Sequence, residues 1–547
     1  MKNLAKIVFS ASLILSIGMS HFLAQDVKKP QTIAESSGFA ATSRYSDVMS
    51  FIRTMQARSP HIRLETMGVS PEGRDIPLAI LGNPVPSSPL DLKTDGRTVV
   101  YIQGNIHAGE VEGKEASLIL IRDILQQENP PYLDKLVILF SPIFNTDGNE
   151  KISPDNRSNQ TGPEQGVGVR TNGQNLDLNR DAMKQESPEL QGLLKNVLLR
   201  WDPVLLVDCH TTNGSYHEEP VTYSWPLSPN GSRDILIYMR ETMMPALQKH
   251  LKDRYNTLSI PYGNFMGREM NGWRTFGHNP RYLTNYIGLR NRMSILIENY
   301  SHADFKTRVL GNYFYVKSIL DYCHTHKDDI ETLISKADAA TIKRGLDPEA
   351  DVGFGVEFDT KSLNDKVTIL GWEVEIIERE GRYPRQEKTD VKKTYVLPYY
   401  ADFVPKRSVP LPRGYLISVQ TPEVLEKLLQ HGIAVEKLLL PVSLEVEAFE
   451  VSELKAATRL YQGHYLNSVK GEYKTETIEF AEGTLLIRTA QPLGNVAAYL
   501  LEPESDDGLL VWNYFDRYLV PQWSRAPQIY PVYKLHEKVN LVTETIR

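Results

Sequence analysis

Residues 98–144 read TVVYIQGNIHAGEVEGKEASLILIRDILQQENPPYLDKLVILFSPIF. Two near-continuous apolar runs, 98–106 and 135–144, flank a segment of helical periodicity near 110–127. Strand, helix and strand in succession predict a βαβ unit whose strands are buried on both faces. Working outward, Val48, Phe51, Ile52 and Met55 recur at helical spacing and predict a helix over 45–57. Strands are expected at 62–68 and 76–81, joined by the turn-rich Ser70-Pro71-Glu72-Gly73-Arg74. Buried strands are expected at 203–209 and 293–299, and a long helix at 308–335. The fold class is therefore α/β, a mostly parallel mixed sheet flanked by helices. After about residue 340 the texture becomes short alternating segments such as 366–377, 413–419 and 483–489, with one helix at 422–430. Those features predict a β-rich C-terminal domain over 345–547, after a catalytic-type domain over 25–340.

The length of 547 residues excludes a single small module. Lys plus Arg is 61 against 68 Asp plus Glu, a net charge of −7 with no basic stripe, so nucleic acid is not an expected partner. Residues 1–24 place Lys2 and Lys6 before an apolar run and then small residues, the pattern of a secretory signal peptide. That run is shorter than the ~20 residues a membrane span needs, and no later run replaces it, so export to the periplasm or the medium is expected without a membrane span in the mature chain. Cys209 and Cys323 are the only cysteines, which excludes a disulfide scaffold and leaves their pairing open. Oligomeric state is not legible.

In an open α/β sheet, ligands bind beyond the carboxyl ends of the strands. His107 and Glu110, in HAGE, follow the first long strand, and two ligands at i and i+3 in a tight turn can face one ion. His210, in LLVDCHTT, ends another buried strand and could supply a third. His, Glu and His with an open fourth position is a catalytic zinc arrangement, one ion per chain. Asp177, Asn179 and Arg180, in NLDLNR, alternate as though on one side of an extended segment. Glu298, in SILIEN, is a carboxylate ending an apolar run, where burial is costly unless it is paired or functional. A carboxylate near a metal-activated water is the base that metal-assisted hydrolysis needs. The loop 146–174 is too long for a connector and is a candidate functional loop.

The order HAGE, NTDG, VRTN, NLDLNR, DCHTT and ILIEN, with the upstream MGVSPEGRDIPL, resembles the zinc carboxypeptidases of the M14 family over roughly residues 45–326. The resemblance implies that His107, Glu110 and His210 bind Zn2+ and that Glu298 is the general base and acid. It implies that Arg170 polarises the scissile carbonyl and that Asn179 and Arg180 hold the substrate's terminal carboxylate. Asp177 would bond the free ring nitrogen of His107. The expected activity is hydrolysis of the C-terminal amide bond of peptides. Related amidohydrolases share the pattern, so a deacylase of N-acyl amino acids or a trimmer of cell-wall peptides is the alternative, and a non-catalytic binding protein on the same fold is a third reading.

Departures accompany the likeness. The NR pair continues as DAMKQESPE rather than into an aromatic segment, so the wall beside the terminal carboxylate is expected to differ. Tyr282 and Tyr286 are both candidates for a substrate-capping tyrosine. Trp225, Trp273 and Phe276 are candidate pocket walls, and Arg290 and Arg292 candidate contacts to an anionic substrate. His217, His278 and His302 are not expected as ligands.

Overall fold

The computed structural model describes residues 29–212, 214–348, 353–378, 385–519 and 527–546; the expected leader lies outside them. The strands among them are, in chain order, β1 (Ile62–Val69), β2 (Asp75–Leu81), β3 (Thr98–Gly104), β4 (Leu136–Ser141), β5 (Leu205–Thr212), β6 (Val221–Ser224), β7 (Ser259–Pro261), β8 (Asn264–Phe265), β9 (Trp273–Arg274), β10 (Met293–Tyr300), β11 (Phe354–Ile377), β12 (Arg385–Val409), β13 (Gly414–Ile417), β14 (Val435–Leu438), β15 (Val442–Ala456), β16 (Asn467–Phe480), β17 (Leu485–Arg488), β18 (Gln528–Ile529), β19 (Val532–Leu535) and β20 (Thr543–Ile546).

The central sheet has eight strands in the order β1-β2-β4-β3-β5-β10-β6-β7. Its middle, β4-β3-β5-β10, is parallel, while β1, β2 and β6 attach antiparallel at either side. The α/β expectation is met, and the βαβ unit is real: β3, the helix Glu112–Leu125 and β4 follow one another as read. The helix starts close over the strand end because two glycines meet there. A β-carbon at Gly104 would lie 2.9 Å from the Gly113 carbonyl carbon.

Side chains alternate between the faces of a strand, which divides the core. Val100, Ile102, Leu205, Val207, Ile295 and Ile297 face the helices Tyr45–Arg58, Glu112–Leu125 and Phe305–Thr325. Val99, Tyr101 and Leu206 lie on the opposite face. Their cluster runs on through the helix Leu283–Leu289 into C-terminal residues such as Tyr415, Ile417, Val424 and Val496. Even-numbered residues of β5 and β10 thus face the side that the C-terminal region covers.

The C-terminal strands form two further sheets. One has the order β11-β12-β9-β8, and the other the order β16-β15-β19-β13-β17-β14-β20 with β18 alongside β15. The helix Pro422–Gln430 lies where the sequence placed it. The divide expected near residue 340 falls inside the helix Lys327–Leu346. The single long helix expected over 308–335 is two helices, Phe305–Thr325 and Lys327–Leu346, broken at His326. His324 closes the first and Asp328 and Asp329 open the second. That order of charges suits a helix end followed by a helix start. No helix among the described residues is long and apolar enough to cross a membrane. Both cysteines are buried and unpaired.

Candidate active site

The carboxyl ends of β3, β5 and β10 converge. His210 and Glu298 are register partners on neighbouring parallel strands, and the turn after β3 carries His107 and Glu110. One ligand atom from each of His107, Glu110 and His210 lies within 4.8 Å of the others. The two imidazoles present Nδ1 inward, 3.3 Å apart. Glu110 reaches His107 Nδ1 at 3.2 Å with Oε1 and His210 Nδ1 at 2.9 Å with Oε2. Like-natured nitrogens so close, with a carboxylate beside them, leave a cation as the natural centre.

Each outward Nε2 is backed by a carboxylate, at 3.0 Å from Asp177 for His107 and at 2.9 Å from Asp208 for His210. The Asp177 hydrogen bond fixes the orientation of the His107 ring and the tautomer that exposes Nδ1, while Asp208 stands at ion-pair distance behind His210. Asp208 was not singled out from the sequence, yet it stands two residues before His210 on a buried strand, hence on the same face. Gln103 donates from Nε2 to its other oxygen at 3.2 Å. Burial opposes the charge on Asp177, but His107, Arg180 and Arg170 outweigh it and hold the carboxyl far below its usual range. Glu110 is likewise held low by His107 and Arg157 against its burial.

Arg157 comes from the long loop after β4. Nη1 donates to Glu110 Oε1 at 2.8 Å and Nη2 to the Thr211 carbonyl at 2.8 Å. Its stem crosses Gly109, where a β-carbon would lie 2.5 Å from Arg157 Cδ. Gly109 therefore gives the guanidinium its path to the Glu110 carboxylate. The long loop thus reaches the triad through Arg157, a residue the motifs did not mark.

Asp177, Asn179 and Arg180 do not lie on an extended segment. Leu178–Arg180 is a 3-10 turn, and Asp177 caps it by accepting the Asn179 N–H at 3.0 Å. The capping carboxylate stabilises the turn in place of strand pairing, and all three side chains still serve one site. Asn179 fixes its Oδ1 on the Leu283 N–H at 2.9 Å. Arg180 stacks over the Tyr282 ring, 4.5 Å to the centroid, and gives one hydrogen bond to the Asn179 carbonyl. Arg170, its side chain 43% exposed, donates from Nε to Asp177 Oδ2 at 2.8 Å.

The triad, Arg170, Asn179 and Arg180 line a cavity of about 320 Å³ together with Glu298, Tyr262, Phe276, Tyr282 and Leu296. Burial, with Glu110 acting in the same direction, pushes the Glu298 carboxyl up to about 8 against the pull of His210, Arg157 and Arg170. Its Oε2 is buried without a hydrogen-bond partner among the described residues.

Of the two candidate tyrosines, Tyr282 lines this cavity, whereas Tyr286 is buried against His431, its hydroxyl 2.6 Å from Nδ1. Phe276 lines this cavity, Trp273 belongs to the core, and Trp225, also packed in the core, lines a different cavity with Tyr223 and Tyr399. Arg290 bonds Tyr286 and the His431 carbonyl, and Arg292 pairs with Asp202 and Asp338, so neither meets substrate. His217 stacks on Tyr300 and His278 pairs with Asp506, both away from the metal ligands.

The α/β sheet and a carboxylate-backed His-Glu-His triad beside an accessible glutamate define a metal-dependent hydrolase. Comparison with known proteins narrows the class. Residues 48–201 match the family profile described as zinc carboxypeptidase, Peptidase M14. Carboxypeptidase 2 of Trichophyton rubrum is 22% identical, covering 92% of this chain and 91% of that protein. Carboxypeptidase 2 of Trichophyton equinum is also 22% identical, over 95% and 92%. Among solved structures, a metallo-carboxypeptidase from Burkholderia cenocepacia aligns with a TM-score of 0.38 at 16% identity, over 51% of this chain and 69% of that one. These likenesses support an M14 zinc carboxypeptidase-like metallopeptidase, and the His107, Glu110 and His210 triad can hold a metal ion.

Proposed function

We propose that the chain is an exported zinc-dependent carboxypeptidase that releases the C-terminal residue of peptides. The observation that carries this reading is Arg180. Its guanidinium faces the cavity beside the candidate metal ligands, has no carboxylate nearer than Asp177 at 4.0 Å among the described residues, and rests on an aromatic ring. An arginine in that state is suited to a bidentate carboxylate brought by the substrate. Asn179, anchored through Oδ1, keeps its amide N–H group for the same carboxylate.

Two imidazoles and one carboxylate are a donor set that suits zinc, which when bound polarises the scissile carbonyl and acidifies water. The chain's own residues do the rest. Glu298, with an oxygen free of other partners, takes the proton of the attacking water and passes it to the leaving amine. Arg170, steered by Asp177, offers its exposed guanidinium nitrogens to the carbonyl oxygen as charge develops there. Leu296, Phe276 and Tyr262 supply an uncharged wall for the departing side chain. The lysine-flanked apolar leader supports export, and recovery of the processed chain in the periplasm or medium tests it.

Matched peptides with free and amidated C-termini test the function in the parent and in Arg180→Ala. Removing either partner should cost about 2 to 5 kcal/mol in kcat/KM. The two losses should not add, because both delete one contact. Equal turnover of free and amidated peptides would remove the carboxypeptidase reading and leave an amidase or endopeptidase.

A further inference from the structure

The tip of the hairpin formed by β15 and β16 is largely exposed, yet it is anchored on one side. The tip, residues 457–466, reaches the segment 177–186 that shapes the cavity. Tyr461 and His464 pair across a two-residue turn, with N–H to carbonyl distances of 2.8 and 3.0 Å. The turn residues Gln462 and Gly463 both have positive φ, 50° and 85°. That geometry favours Asn or Gly at the first position, so the glutamine is held in the left-handed region at a cost. Strain of this kind persists where surrounding structure over-determines it and is a reason to look for function.

The function is visible in one contact. Gln462 Oε1 accepts the Asp177 N–H at 2.8 Å. Asp177 is buried, and among the described residues its N–H has no other acceptor. The same aspartate holds His107 through Oδ1 and Arg170 through Oδ2. The tip is itself clamped. His464 Nε2 meets Glu186 at 2.8 Å, its Nδ1 meets Asn513 at 3.1 Å, and Asn513 Nδ2 donates to the Tyr465 carbonyl.

We propose that the β15–β16 tip completes the catalytic site, with Gln462 as a positioning residue that fixes Asp177 and, through it, the orientation of His107 and Arg170. Gln462 touches neither the metal ligands nor the cavity. The inference rests on the metal site rather than on the identity of the substrate. It gives the C-terminal region a part in the chemistry that its alternating strands do not advertise.

Three variants of the full chain test it. Gln462→Ala removes the acceptor. Gln462→Gly removes it and also relieves the backbone. Gln462→Glu keeps an acceptor oxygen. Zn2+ competition against a chromophoric chelator and kcat and KM on a free-carboxylate peptide are measured beside Tm. Gln462→Ala and Gln462→Gly should each hold Zn2+ about tenfold more weakly, the lower end for residues behind a metal ligand, and lose kcat more than they raise KM. Gln462→Gly should melt no lower than the parent, which separates positioning from mere stability. Gln462→Glu should restore most of the loss. Parent-like Zn2+ retention and kcat in Gln462→Gly would overturn the proposal, as would a loss in Gln462→Glu as deep as in Gln462→Ala. The chelator competition reads the contact even if the peptide assay fails, so failure of the carboxypeptidase reading remains distinguishable.

Discussion

Strands β5 and β10 and strands β15 and β16 handle polar residues in opposite ways. Every residue of β5 is buried, and β10 is buried throughout except for partial access at Glu298. In β16 most positions are exposed or half-exposed, with buried residues only at its ends. A carboxylate in a strand of the first kind must be paired or used, because burial without compensation is expensive. In a strand of the second kind it needs no explanation. Glu298, Asp208 and His210 therefore call for a partner or a role, while Glu472, Glu476 and Lys474 are ordinary surface. Gln462 lies at the tip of the second kind of strand yet serves the first, which is why its role is visible only in three dimensions.

The contrast breaks most readily at Glu298. Glu298→Gln keeps the shape but cannot accept a proton, so kcat should fall by about 10² or more. Metal content, read by elemental analysis, should stay unchanged. The acid limb of the parent's kcat/KM profile, set by a carboxyl that burial pushes upward, should vanish in the variant. Near-parent turnover would show that a buried strand-end carboxylate can be idle.

Asp208 sharpens the comparison, since it is as buried as His210 but touches no substrate. Asp208→Asn keeps the packing and loses the charge behind the His210 ring. Metal affinity or activity should drop about 10- to 100-fold, and retention of both would reduce Asp208 to a core residue.

A smaller effect is expected where the two regions meet. His431 packs between Tyr286 and the Met183 carbonyl, at 2.6 and 3.0 Å. Burial pushes its imidazole down to about 3 from 6.5, with Arg290 and Lys427 acting in the same direction. A group depressed on folding contributes stability that is complete above the unfolded value and is lost as pH falls towards the folded one. The parent should therefore lose about 1 kcal/mol per pH unit below 6.5 on this account. His431→Gln, which keeps a donor and an acceptor, should lack that component. Denaturant melts at pH 7 and 5.5 compare them, and identical slopes would place the acid sensitivity elsewhere.

The smallest effect belongs to β16. Lys474 and Glu450 form an exposed cross-strand pair at 2.6 Å. Lys474→Ala should change stability by no more than about 0.5 kcal/mol and leave kcat/KM unaltered. A large loss of activity would mean that the hairpin as a whole, and not its tip alone, serves the site.

The apolar runs of the sequence foretold the central sheet, and its strand-end residues named the His107, Glu110 and His210 cluster that the fold brings together. Buried parallel strands are written as continuous apolar runs, and although one His or Glu at the end of such a run says little, several of them ending neighbouring strands point to one site. His107, Glu110, His210 and Glu298 were legible for that reason, and the order of the motifs around them carried the likeness to zinc carboxypeptidases. The alternation in NLDLNR misled as to conformation, because a capping aspartate stabilises a 3-10 turn as readily as pairing stabilises a strand. Only the tertiary structure decided the choice of Tyr282 over Tyr286, the core positions of Trp225 and Trp273, and the ion-pair roles of Arg290 and Arg292. It alone brought Arg157 across Gly109 to Glu110 and Gln462 to Asp177, contacts spanning 47 and 285 residues of chain. Periodicity and end signals are local and are stored within a few residues of the element they specify. A contact between a loop and a distant turn is set by how whole sheets pack, and no short window of sequence contains that information.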